Sequence, residues 1–129
     1  MKAYTDIEQS KKLAEILPLE SADGFWGFHI ECGLDGDNWE GYDDYPSAVP
    51  YLECTRKENE WKEEKQDMPC WSLVALLNVI PKPDLVQNSE GTWLVRSWVN
   101  QYPWSVGGYS NPIDACYEIV IKLHELSLL

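Results

Sequence analysis

Apolar positions along the chain change period several times, and each change marks an element. Ile7, Leu13, Ala14 and Leu17 fall near one helical face, and Pro18 ends the run because its ring cannot continue a helix. Thr5 followed three positions later by Glu8 has the form of a capping box, so an amphipathic helix is expected over 5–17. From Phe25 the period shortens: Phe25, Trp26, Phe28, Ile30 and Cys32 suit a half-buried strand, with Phe28, Ile30 and Cys32 on one face. Residues 33–45 hold three glycines and many carboxylates without periodicity, which reads as a loop. Residues 48–55 could form a second strand that starts at Pro50 or lies at an edge. Residues 56–68 are charged and nearly balanced, with Glu58 and Lys62 four apart, as in an exposed helical turn or mobile loop anchored by Trp61. Segments 33–48 and 56–68 are therefore expected to be loops or excursions.

The second half is better punctuated. Pro69 precedes a run from Cys70 to Ile80 that is apolar on nearly every side and is closed by Pro81 and Pro83. Proline in the first turn and just past the end frames a central helix over 69–80, buried all round. Residues 85–88 and 92–99 flank Ser89-Glu90-Gly91, the pattern of a β-hairpin over 85–99, with Trp93, Val95, Ser97 and Val99 alternating with Leu94, Arg96 and Trp98. Residues 102–109 contain Pro103, Gly107 and Gly108 and read as a turn or loop. Asn111 caps a helix with Pro112 in its first position, extending to about 126, with Ile113, Cys116, Tyr117, Val120 and Leu123 on its apolar face. The pattern predicts one compact α+β domain: a small antiparallel sheet packed by helices near 5–17, 69–80 and 112–126.

Composition sharpens this. The 129 residues are 44% hydrophobic and include seven tryptophans, enough for a core and too apolar for global disorder. Acidic residues number 22 against ten basic ones, a net charge of -12 that opposes direct nucleic-acid binding, since affinity for phosphate comes from Lys and Arg. The first twenty residues mix charges with apolar positions, unlike a signal peptide, and no apolar run reaches membrane-spanning length, so a cytoplasmic protein is expected. Cys32, Cys54, Cys70 and Cys116 lie 22, 16 and 46 residues apart, which matches no compact disulfide or zinc pattern; they read as free thiols.

Two strings, Pro69-Cys70-Trp71-Ser72-Leu73-Val74-Ala75-Leu76-Leu77-Asn78-Val79-Ile80-Pro81 and Asn111-Pro112-Ile113-Asp114-Ala115-Cys116-Tyr117-Glu118, carry a resemblance, as does the opening Met1-Lys2-Ala3-Tyr4-Thr5. In these the chain resembles small proteins of phages and conjugative elements of gut Bacteroidetes. That group has no assigned activity, so the resemblance implies a mobile-element setting and no catalytic residues. It does not extend over 21–68.

Chemistry-bearing residues concentrate between 23 and 55, where Asp23, Glu31, Asp35, Asp37, Glu40, Asp43, Asp44 and Glu53 occur with no Lys or Arg. Asp35-Gly36-Asp37-Asn38 offers hard oxygen ligands, but Trp39 stands where a calcium loop needs an oxygen and no glycine follows it. Carboxylates interleaved with Trp39, Tyr42 and Tyr45 combine attraction for a basic partner with aromatic anchors. The candidate partner-binding residues are therefore Asp35, Asp37, Trp39, Glu40, Tyr42, Asp43, Asp44 and Tyr45. Such a face could serve an accessory protein, or mimic DNA towards a DNA-binding enzyme. The competing and simpler reading has the aromatics folded back on the domain and the acids acting only as solubilising charge.

Other constellations are thinner. His29, Cys32, Cys54 and Cys70 have no paired short spacings for zinc, and strand residues three apart point to opposite faces. His29 and His124 are the only histidines to serve a cysteine nucleophile such as Cys116, and neither has a nucleophile context. Gly107-Gly108 lacks the lysine of a phosphate loop. Trp93 reads as core, whereas Trp98 and Trp104, within an aromatic series that includes Tyr102 and Tyr109, offer a stacking platform for a sugar or nucleotide. The sequence thus supports a non-catalytic interaction protein ahead of a small-ligand binder, with an enzyme third, and with no catalytic residue, metal or cofactor assigned.

Overall fold

The computed structural model describes residues 2–32, 38–43, 45–47 and 67–129. Its elements are α1 (Ile7–Ala14), a 3-10 turn (Leu19–Ser21), β1 (Gly24–Trp26), β2 (Phe28–Cys32), β3 (Asn38–Tyr42), β4 (Met68–Cys70), α2 (Leu73–Val79), β5 (Pro83–Gln87), β6 (Trp93–Val99), β7 (Tyr102–Tyr109) and α3 (Pro112–Glu125). Every pairing of the described strands is antiparallel, and helices pack against small sheets, so the fold is α+β. The chain divides into two units, Asp6–Cys70, and Met1–Thr5 together with Trp71–Leu129.

In the unit formed by Met1–Thr5 and Trp71–Leu129, β5, β6 and β7 form a meander and α3 packs on β6 and β7. The first hairpin is closed as its sequence predicts: the Asn88 side chain accepts from the N–H groups of Glu90 and Thr92, both at 3.0 Å. On β6 the alternation holds, with Val95 and Ser97 fully buried and Trp98 exposed; Trp93 is half-buried rather than core. The Ser97 hydroxyl donates to the Pro81 carbonyl, which ties the α2–β5 connection to the sheet. α3 begins as expected, the Asn111 side chain accepting from Ile113 N–H at 2.8 Å ahead of Pro112, and it buries Ile113, Ala115, Cys116, Ile119, Val120 and Leu123. Lys2 pairs with Asp114 in its first turn at 2.6 Å. Thr5 is fully buried and bonded twice to Trp71: its N–H donates to the Trp71 carbonyl, and its hydroxyl accepts from Trp71 N–H at 3.1 Å.

Three expectations are corrected in this unit. Residues 102–109 are not a loop but β7, joined to β6 by Asn100 and Gln101, both at positive φ as a two-residue hairpin turn requires. Pro103 is tolerated because a two-residue turn puts its nitrogen on the free edge of the sheet, where no ladder bond is lost. Gly108, at φ +88°, sits where the β6–β7 register shifts and accommodates the extra residue of a bulge. The central helix does not run over 69–80: Cys70 ends a strand, Trp71 is held by Thr5, and Ser72 caps a shorter α2 by accepting from Ala75 N–H at 3.3 Å. Nor is that helix buried all round, because Val74 is 66% exposed.

In Asp6–Cys70, the capping box predicted at Thr5 and Glu8 sits one residue later. Asp6 accepts from Gln9 N–H at 2.8 Å and the Gln9 side chain accepts from Asp6 N–H at 3.1 Å. α1 is therefore eight residues rather than thirteen and packs on β4, which pairs with β1. Leu13, Ala14, Leu17, Met68 and Cys70 are buried here; each large apolar side chain among them contributes roughly 1.5–3 kcal/mol. The strand expected at 48–55 and residues 56–66 of the exposed turn expected over 56–68 lie outside the described residues; at the end of that turn Met68 is instead buried and begins β4, paired with Trp26 of β1.

Candidate functional site

The acidic region is built around a change of strand partner at Gly27. β1 pairs with β4 as far as Trp26 opposite Met68, and β2 then pairs with β3 from Phe28 opposite Tyr42. At the changeover the Gly27 carbonyl accepts from Asp43 N–H at 2.8 Å, and the Asp67 carboxylate accepts from Phe28 N–H at 2.7 Å. A Cβ at position 27 would run into the Asp43 carboxylate, so glycine lets this acid close on the backbone. Phe25 and Ser47 exchange two backbone hydrogen bonds of 2.8 Å, which returns the chain to β1.

These anchors decide what the aromatics do. Tyr42 lies edge-on to Phe28, with centroids 5.1 Å apart and planes at 75°, and packs back on its own hairpin. Tyr45 stands between two backbone-anchored residues, Asp43 and Ser47, yet is 83% exposed. Its exposure is thus not that of a loose end. Trp39 and Glu40 occupy β3 opposite Glu31 and Ile30, so the expected loop over 33–45 is corrected to a hairpin strand across Asn38–Tyr42. Asp35, Asp37 and Asp44 lie outside the described residues.

The stacking platform expected of Trp98 and Trp104 does not form. Trp98 faces Pro103 and Trp104 faces Ser97, adjacent rungs of one ladder, so the two indoles project from opposite faces of the sheet. Trp104 is joined instead by Tyr102, two residues away on the same face, at 5.1 Å and 50°. The Lys122 ammonium lies 5.9 Å above the Trp104 ring and donates to the Ser105 carbonyl at 3.4 Å. Tyr102, Trp104 and Val106 have a period of two, which could have revealed the pair had the Pro and Gly residues not marked the segment as a loop.

The described thiols are unsuited to nucleophilic chemistry. Cys70 and Cys116 are free and fully buried. Burial pushes the Cys70 thiol far up, with the Asp23 charge acting in the same direction, and burial alone pushes Cys116 up to about 12. His124 is exposed near the end of α3. Among the described residues no three His, Cys, Asp or Glu side chains converge as a metal site, and no helix is long and apolar enough to cross a membrane. No protein-family model, curated protein or solved structure matches the chain.

Proposed function

We propose that this chain is a non-catalytic interaction protein of a mobile element, acting in the cytoplasm on a basic protein partner rather than on nucleic acid. The observation that carries the reading is Tyr45, held out to solvent between anchored neighbours in the acidic part of the chain. Of the 22 acids and ten bases, 17 acids and six bases belong to Asp6–Cys70, a net charge of -11, against -1 for the other unit. Such a field speeds encounter with a basic surface, and an exposed tyrosine supplies aromatic contact area. The two described thiols, Cys70 and Cys116, are buried and held protonated, so neither offers a nucleophile.

The reading is tested by capture from host lysate over a salt series, with the unsubstituted chain, Tyr45→Ala, and Asp43→Asn with Asp44→Asn. A partner captured by the unsubstituted chain should be lost with Tyr45→Ala and weakened at lower salt by the asparagine pair. Capture that is indifferent to both variants and to salt refutes it.

A further inference from the structure

We propose that Tyr102, Trp104 and Lys122 form a binding site for a pyranose sugar acid, whose ring stacks on Tyr102 and whose carboxylate meets the Lys122 ammonium. Tyr102 is 60% exposed at the start of β7, so more than half of its surface is accessible to a ligand. The 50° tilt and 5.1 Å separation of the Tyr102 and Trp104 rings make a corner, not two parallel walls. A flat nucleobase gains most from a parallel slot, whereas a pyranose presents one apolar C–H face and needs one aromatic surface.

Lys122 supplies the charge. In a chain with more than twice as many acids as bases it pairs with no carboxylate among the described residues, although Glu118 and Glu125 lie one turn to either side on α3. Its ammonium is instead positioned by the Ser105 carbonyl and the Trp104 ring. An ammonium has three donors, and a carbonyl and a π-face leave it able to donate to a ligand oxygen. Strand and helix together present the three groups, so little ordering is needed on binding.

The test is a titration of the full chain with D-glucuronate, D-glucose, acetate and adenosine monophosphate, followed by ¹H–¹⁵N NMR at the Trp104 indole, assigned through Trp104→Phe. Glucuronate should give a saturable shift, and glucose and acetate much weaker responses, because each lacks one of the two interactions. Tyr102→Ala and Lys122→Gln should each weaken glucuronate binding about tenfold, the effect of losing one modest interaction, while Tyr102→Phe and Lys122→Arg retain it. No saturable response to glucuronate, an equal response to acetate or glucose, or tighter binding of the nucleotide overturns the assignment. The ligand series on the unsubstituted chain decides the matter even if a variant loses its amide dispersion.

Discussion

Raising the pH from 8 to 10 should destabilise the fold through Cys116, by an amount that can be worked out. The thiol is fully buried on α3, and its pKa is about 12 when folded against an ordinary 9.0. The unfolded chain therefore releases this proton at lower pH than the folded chain does. Stability from the raised pKa is fully present below pH 9 and is lost progressively as pH rises towards 12. At pH 10 the loss is about 1 kcal/mol, nearly all of it incurred above pH 8. Cys70 acts in the same direction, and so does Tyr109, whose hydroxyl is pushed up by burial, then Glu118 and Asp114. The Cys116 share is isolated by urea unfolding of the unsubstituted chain and Cys116→Ala at both pH values. The alanine variant is less stable throughout, since it loses a buried sulfur, but should lose about 1 kcal/mol less between pH 8 and 10. Equal losses in the two proteins would refute the assignment of a protonated, desolvated thiol. Thiol labelling checks it independently: at pH 8, thiolate at Cys116 is about a thousandfold scarcer than at an ordinary cysteine, so labelling should wait for unfolding.

Three further outcomes follow from local geometry. Asp6→Ala should lower stability by about 1 kcal/mol in thermal melts, while Glu8→Ala, outside the capping box, should change it by less than half of that. Gly27→Ala should cost more in the unsubstituted chain than in an Asp43→Ala background, with a coupling of about 0.5–3 kcal/mol in a double-mutant cycle; additivity would remove Asp43 from the changeover. Gly108→Ala should cost about 1–3 kcal/mol in urea unfolding because of its positive φ, whereas a neutral result would remove the need for glycine at the bulge.

What the sequence made legible was governed by local chemistry. Asn111 before Pro112, the Asn88 turn and the alternation of Trp93 to Val99 bond within a few residues, and their elements formed as expected. Errors arose where a distant partner decided the state. Trp71 looks helical in its own neighbourhood, but Thr5 takes both its backbone groups from 66 residues away. Pro103 and Gly108 look like loop punctuation until pairing with β6 makes their segment an edge strand that carries a bulge. The candidate site divides in the same way. Acid density was readable from composition, but whether Tyr42 or Tyr45 faced solvent depended on Phe28, Gly27 and Phe25, which their own sequence neighbourhood does not specify.

The uneven charge of the two units also separates the two proposals experimentally. Attraction between an acidic surface and a basic partner acts at long range and is screened over a Debye length of about 8 Å at physiological ionic strength, so that affinity should fall steeply with salt. A sugar acid on Tyr102 and Lys122 has one ionic contact and one apolar contact, and only the first is screened. Added salt should therefore weaken glucuronate binding modestly and partner capture severely. Tyr45→Ala should abolish capture without moving the Trp104 indole response, and Tyr102→Ala should do the reverse. The two surfaces belong to different units, and each substitution is at an exposed side chain, so neither proposal depends on the other for its outcome.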